Sequence, residues 1–227
     1  WSSDVCSSDL GSDVWRVQAQ QMASLRDHTF NNLSGRWRVD PAEIEKHDHL
    51  ILKTAIGRLL ALNDHRRFGS LDLLRTESAM DWPAFQALGP EPLSDDFSAK
   101  VLAQAFAGRS ASIKSLLLDQ RIVAGLGNIY VCEALFMAGI KPNKPAGRVA
   151  KTRLEPLVVA IKEVLASAIK AGGSTLRDYA QPDGELGYFF KQWRGYGREG
   201  EACQCGQPVL RRIDGGRSTF YCAKCQR

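Results

Sequence analysis

The first third of the chain contains short stretches whose apolar residues lack helical spacing. Residues 36–39 (RWRV) and 49–52 (HLIL) are rich in apolar and β-branched or aromatic side chains. Gly57 and Arg58 form a predicted turn that leads into a third such stretch, residues 59–62. These patterns predict a β-rich region in this part of the chain.

The middle of the chain changes to helical spacing. Phe97, Val101, Leu102 and Phe106 share one face of a predicted helix that Gly108 ends, and Ser94 is the candidate N-cap. Shorter apolar repeats predict helices at residues 113–120 and 129–136.

A longer helix is predicted after residues 152–155 (TRLE), which have the form of a capping box. Its apolar stripe continues until Gly172 and consists of Leu154, Leu157, Val158, Ile161, Leu165 and Ile169. Between the β-rich and helical regions, residues 88–94 (LGPEPLS) contain two prolines and predict a domain boundary. Residues 1–32 are predicted to be an extraneous leader, because their Ser- and Asp-rich start shows no apolar period.

Four cysteines near the C-terminal end come in two close pairs, Cys203 with Cys205 and Cys222 with Cys225. The residues between the pairs predict a short β-hairpin, with residues 214–216 (DGG) as its turn. Two close pairs of thiolates suit one tetrahedral Zn²⁺, which stabilises a module too small to fold by apolar burial alone. The alternatives are two disulfides or four unrelated thiols.

The charge of this cysteine-containing module indicates a binding partner. The 227-residue chain has a net charge of +5, and residues 188–227 carry eight basic against three acidic side chains, a local excess of five. A basic patch on a metal-stapled hairpin predicts binding to a nucleic-acid backbone, and a solvated basic face is the alternative. No apolar run approaches the roughly 20 residues of a membrane span, so a cytoplasmic protein is expected.

Two loops contain residues that also suit binding to a nucleic acid. Residues 63–69 (NDHRRFG) combine guanidiniums, an aromatic ring and turn formers, as in loops that probe a nucleic-acid groove. Residues 124–128 (AGLGN) place two glycines before a helix, where backbone amides can bind an anion. These glycines can equally serve close helix packing.

Several motifs together resemble bacterial formamidopyrimidine-DNA glycosylases, repair enzymes that excise oxidised purines such as 8-oxoguanine. The similarity runs from about residue 34 to residue 227 and rests on residues 63–69, 119–130, 172–178 and 197–200 with the cysteines. It implies an α+β fold with a partial N-terminal β-sandwich domain (33–90), a helix-two-turn-helix DNA-binding domain with a lesion-capping loop (91–187) and a β-hairpin zinc finger (188–227). It also implies a bifunctional glycosylase and AP lyase that works as a monomer on damaged double-stranded DNA in the bacterial cytoplasm.

The resemblance assigns roles to individual residues. It implies that Arg66 faces the orphaned cytosine, that Phe68 fills the void after base eversion, and that residues 181–188 close over the everted purine. The family's phosphate-gripping residues correspond to His47, Arg109, Lys114, Asn128 and Arg217, of which Arg217 is also credited with assisting δ-elimination.

The chain departs from the family pattern before residue 36. The N-terminal proline nucleophile, the glutamate after it and the catalytic lysine have no counterpart, and Leu33 stands in place of a void-filling methionine. We therefore expect a truncated or chimeric glycosylase that binds DNA with impaired catalysis, since the reaction needs an unprotonated amine at the sugar. The alternatives are an endonuclease VIII-like enzyme for oxidised pyrimidines and a noncatalytic zinc-finger protein that binds damaged DNA.

Overall fold

The computed structural model describes residues 15–16, 36–53, 56–64, 74–75, 81–171 and 189–227. The described residues up to Ala87 belong to one compact unit, and those from Leu88 onwards belong to a second. The α+β class predicted from the sequence is confirmed, because strands dominate the first unit while the second combines helices with a hairpin.

In the first unit, residues 36–39, 48–53 and 59–63 form a three-stranded antiparallel sheet, with residues 59–63 in its centre. Its strands and the other elements of this unit are β1 (Trp15–Arg16), β2 (Arg36–Val39), β3 (Asp48–Lys53), β4 (Leu59–Asn63), β5 (Leu74–Arg75) and α1 (Pro83–Gln86). The three predicted strands are therefore present, and Gly57, with φ +86°, provides the predicted turn before β4. A separate two-stranded ladder joins β1 and β5.

Polar side chains hold the edges of this sheet together. Arg38 on β2 pairs with Asp48 on β3 at 2.7 Å and with Glu45 at 2.9 Å. Asn63 on β4 donates to the other oxygen of Asp48 at 2.8 Å, so the Asp48 carboxylate is bonded to side chains of both other strands. Because the Asp48 carboxylate is fully covered, these hydrogen bonds satisfy a group that would be costly to bury alone.

The helical part of the second unit surrounds one apolar core. Its helices are α2 (Ala99–Phe106), α3 (Ile113–Leu117), α4 (Asn128–Met137) and α5 (Leu154–Lys170), with 3₁₀ turns at Ala146–Arg148, Lys151–Arg153 and Phe189–Gln192. Leu102, Ile113, Leu135, Leu157 and Ile161 are completely excluded from solvent at its centre. The apolar periodicity thus located the four α-helices that the structure describes in this unit.

Three details of the helices differ from the sequence prediction. Ser94 is not an N-cap: its hydroxyl donates to the Glu91 carbonyl in a preceding turn, and α2 begins only after Ser98. The capping box at residues 152–155 is also wrong, because α5 follows a 3₁₀ turn and has no side-chain cap. Ile169, expected in the buried stripe, is 67% exposed in the last turn of α5.

The predicted hairpin is confirmed at the C-terminal end. Strands β6 (Leu210–Asp214) and β7 (Arg217–Tyr221) pair antiparallel, with Asp214 opposite Arg217. Gly215 and Gly216 connect them at φ +56° and +76°, which is the backbone that a two-residue type I′ turn requires. Among the described helices, none has the length and apolar character needed to cross a membrane.

Candidate metal site and nucleic-acid interface

The four predicted cysteine ligands meet at one point beside the hairpin. Their sulfur atoms all lie within 4.8 Å of one another. The Sγ atoms of Cys203 and Cys225 are 3.7 Å apart, and those of Cys205 and Cys222 are 3.5 Å apart. A disulfide needs about 2.0 Å, whereas a tetrahedron with metal–sulfur bonds of about 2.3 Å places its sulfurs about 3.8 Å apart. The thiols therefore form a group that fits a metal ion, and the disulfide alternative does not fit this geometry.

The chain around the thiols favours metal ligation. The backbone N–H of Gln207 lowers the pKa of Cys205 to about 7, whereas burial raises the pKa of Cys203 and the neighbouring Cys205 thiol raises that of Cys225. Because the ionised thiol is the form that binds a metal, Cys205 is the thiol that these surroundings prepare for ligation. Cys203 and Cys222 are buried in a small apolar cluster with Val209 and Phe220.

Two side chains from the helices converge on strand β7 beside Arg217. Lys114 of α3 donates from Nζ to the Thr219 hydroxyl at 2.6 Å and to the Ser218 carbonyl at 3.2 Å. Asn128, the first residue of α4, donates from Nδ2 to the same Ser218 carbonyl at 3.0 Å. Lys114 is only 1% exposed, and burial lowers its pKa. A lysine in a helix ordinarily faces water, and the structure instead uses this ammonium to join α3 to the hairpin.

A buried carboxylate holds the segment that leads into the metal site. Glu133 of α4 is 2% exposed, and its two oxygens accept the backbone N–H groups of Arg194, Gly195 and Tyr196 at 2.7–2.9 Å. A Cβ atom on Gly195 would lie 2.6 Å from the ring of Phe136, so only glycine fits between the segment and α4. Sequence reasoning missed Glu133, although a carboxylate in the middle of the otherwise mostly apolar α4 was a visible signal.

The buried amide of Gln226 joins the metal site to the turn that follows α4. Gln226 accepts the backbone N–H of Cys222 at 2.8 Å and donates to the Ile140 carbonyl at 2.9 Å. Arg153 donates to the carbonyls of Ala138 and Gly139 in the same turn after α4. The hairpin is thus bonded to the helices at both ends of α4.

The remaining predicted DNA-binding residues are distributed over the chain. Arg109 is exposed in the loop after α2, where its carbonyl accepts from the N–H of Gly147 at 2.9 Å. His47 lies in the first unit, in the turn before β3, with its ring 6.2 Å from that of His49. Arg66, Phe68 and residues 181–188 lie outside the described residues, as does the leader at 1–32 apart from the backbone of β1. Within the described part of the second unit, Lys114 and Asn128 meet β7 at Ser218, next to Arg217, and Cys222 follows the other end of the same strand.

A helical domain that carries a basic hairpin held by four thiols is an arrangement of nucleic-acid-binding proteins. Residues 88–180 match the family model described as the formamidopyrimidine-DNA glycosylase H2TH domain. The chain is 67% identical over 195 residues to a formamidopyrimidine-DNA glycosylase of Rhizorhabdus wittichii, an alignment that covers 86% of this chain and 72% of that protein. The chain belongs to the formamidopyrimidine-DNA glycosylase family.

Solved structures agree with this assignment. The chain superposes on the MutM (Fpg) protein of Thermus thermophilus with a TM-score of 0.77 at 41% identity, over 85% of this chain and 72% of the other. It superposes equally well, with a TM-score of 0.78 at 36% identity and the same coverage, on a variant of Lactococcus lactis Fpg in complex with DNA that contains Fapy-dG. The predicted family and its helix-two-turn-helix region are therefore confirmed.

Proposed function

We propose that this chain binds damaged double-stranded DNA and serves base-excision repair as a glycosylase and AP lyase for oxidised purines. Membership of a family of DNA glycosylases supports the reaction class. The Lactococcus lactis relative that binds Fapy-dG DNA supports the purine preference over the pyrimidine preference of endonuclease VIII-like enzymes. The protein acts as a monomer in the bacterial cytoplasm, and its sedimentation coefficient with and without duplex DNA tests the monomeric state.

The observation that carries this proposal is the anchored position of Arg217. The neighbouring Ser218 carbonyl accepts hydrogen bonds from two helices, through Lys114 and Asn128. This fixes the backbone at the start of β7, while the guanidinium of Arg217 remains partly exposed beside the hairpin turn. An arginine on a fixed strand of a basic module suits a DNA phosphate, because the backbone that carries it need not become ordered on binding.

The residue roles extend this proposal. Arg217 binds the phosphate at the lesion and assists δ-elimination, Arg66 faces the orphaned cytosine, and Phe68 fills the void left by the everted base. The other DNA-binding residues of this proposal are His47, Arg109, Lys114 and Asn128. Residues 181–188 cap the everted purine. The division into domains at residues 33–90, 91–187 and 188–227 belongs to the same proposal.

Zn²⁺ is the metal that we assign to the four-cysteine site. Four thiolates with tetrahedral spacing favour Zn²⁺ over hard cations such as Mg²⁺, which take oxygen ligands. When bound, the ion supplies folding energy to the module and no reaction chemistry. Metal content by mass spectrometry of the intact protein tests the assignment: one zinc per chain is expected, and another metal or none contradicts it.

Binding and lesion preference are tested together with duplexes that contain 8-oxoguanine, thymine glycol or no lesion. We expect the tightest binding to the 8-oxoguanine duplex. We also expect a linear decrease of log K with log salt concentration, as counterion release requires. Preference for thymine glycol would favour the endonuclease VIII-like alternative, and salt-independent binding would contradict phosphate recognition.

Catalytic competence is a separate question, since the expected nucleophile, glutamate and lysine concern the chain before Arg36, of which the structure describes only residues 15–16. Borohydride trapping on the 8-oxoguanine duplex measures it. The proposed impairment predicts retained binding with little covalent adduct. An adduct formed as fast as with a complete relative contradicts the impairment and leaves the DNA-binding proposal intact.

A further inference from the structure

The buried ammonium of Lys114 is an unusual choice for the interface between a helix and a hairpin. Lys114 is 1% exposed and Thr219 is fully buried, so their 2.6 Å hydrogen bond is shielded from water. Among the described residues no carboxylate lies within ion-pair distance of Lys114, and its hydrogen bonds go to a hydroxyl and a carbonyl. An apolar residue would fill this position without the cost of desolvating a charge.

The strand that Lys114 holds also carries Arg217. Ser218 and Thr219 directly follow Arg217 in β7, and Arg217 lies opposite Asp214 in the register of the hairpin. Lys114 donates to both of the following residues, whereas Asn128 reaches only the Ser218 carbonyl. The Thr219 hydroxyl is thus a contact to the helices that depends on Lys114 alone among the described residues.

We propose that Lys114 is a positioning residue, which fixes the register of β7 through Thr219 and so sets the place of Arg217 relative to Asn128. This inference rests on the proposed DNA-binding function. A phosphate contact would make Lys114 bind DNA through its own charge. The positioning role instead makes Lys114 affect DNA binding through its hydrogen bond to the uncharged Thr219. The fully buried side chain of Thr219 is therefore expected to control DNA affinity.

The test is a double-mutant cycle on DNA binding with Lys114→Met, Thr219→Val and the pair of changes together. We expect Thr219→Val to weaken binding to an 8-oxoguanine duplex about tenfold, the effect of one charged hydrogen bond. We also expect it to reduce the slope of log K against log salt by about one, the loss of one phosphate contact. The double variant should bind no more weakly than Lys114→Met alone, because both changes break the same contact.

Matched controls separate positioning from general damage. Thr219→Ser keeps the hydroxyl and should restore affinity and slope. Thr152→Val and Lys100→Met change exposed residues of the same types and should leave both unchanged. Zinc content of every variant reports whether the module is folded.

Two outcomes overturn the inference. If Thr219→Val binds like the unmodified chain while Lys114→Met binds weakly, Lys114 acts directly on DNA and the positioning role fails, with the proposed function intact. If the two changes add in the cycle while zinc is retained, the pair does not act as a unit. A failure of the unmodified chain to bind any duplex instead contradicts the proposed function itself.

Discussion

Removing the Glu133 carboxylate is the sharpest test of how the hairpin module is held. In Glu133→Ala, three buried or partly buried N–H groups, of Arg194, Gly195 and Tyr196, lose their acceptor. Each hydrogen bond to a charged group contributes about 1.5–3 kcal/mol, and an unsatisfied buried donor costs about 1–3 kcal/mol. Water entry relieves part of this cost, so we expect the free energy of unfolding to decrease by about 3–5 kcal/mol, as when one partner of a buried pair is removed.

The isosteric change Glu133→Gln gives a graded result. Oε1 accepts from both Gly195 and Tyr196, and the amide oxygen of glutamine can keep these two bonds. The amide nitrogen would then face the Arg194 N–H, a donor against a donor. We expect a loss of about 1.5–3 kcal/mol, the contribution of that one bond.

Urea unfolding followed by circular dichroism measures these losses, and amide hydrogen exchange localises them. Protection should decrease at Gly195 and Tyr196 before it decreases in the helical core. Glu163→Gln, an exposed glutamate on α5, is the matched control and should stay within about 0.5 kcal/mol of the unmodified chain. Unchanged amide protection in Glu133→Ala would refute the reasoning, because the three hydrogen bonds would then contribute nothing to this segment.

Three further predictions concern the hairpin module. Arg217→Ala should reduce the salt slope of DNA binding by about one, while Arg121→Ala, which removes an exposed arginine, should not; equal slopes would exclude a phosphate contact by Arg217. Cys222→Ser should lower the zinc content and the stability of the module, since the metal contributes its folding energy, and full zinc retention measured by mass spectrometry would contradict this. Gly195→Ala should lower the melting temperature, because overpacking against Phe136 costs about 1–3 kcal/mol, and an unchanged melting curve would show that the ring moves aside freely.

Features encoded by neighbouring residues were predictable from the sequence. The hairpin follows from Asp214 and two glycines between apolar stretches, and its metal site follows from two cysteine pairs. Local spacing also located α2 to α5, because each buries one apolar stripe or a full apolar surface.

Features that depend on distant partners were not predictable from local spacing. Ser94 and Ser98 offer the same capping signal, and the turn to Glu91 decides which of them precedes the helix. Lys114 and Glu133 are charged residues in helices, which ordinarily face water. Lys114 is buried against an acceptor on Thr219, 105 residues away, and Glu133 against a donor on Arg194, 61 residues away. The periodicity of apolar residues along the helices does not reveal such distant contacts.

The amide of Gln226 has a consequence for the modular engineering of this family. The Gln226 amide bonds both the backbone N–H of Cys222 and the carbonyl of Ile140. Glu133 holds the segment around Gly195, which precedes the first cysteine pair. A finger transplanted as residues 188–227 alone would leave Ile140 and Glu133 behind. A portable unit must therefore include α4 and the turn that follows it, so the smallest exchangeable piece is a helix together with its hairpin.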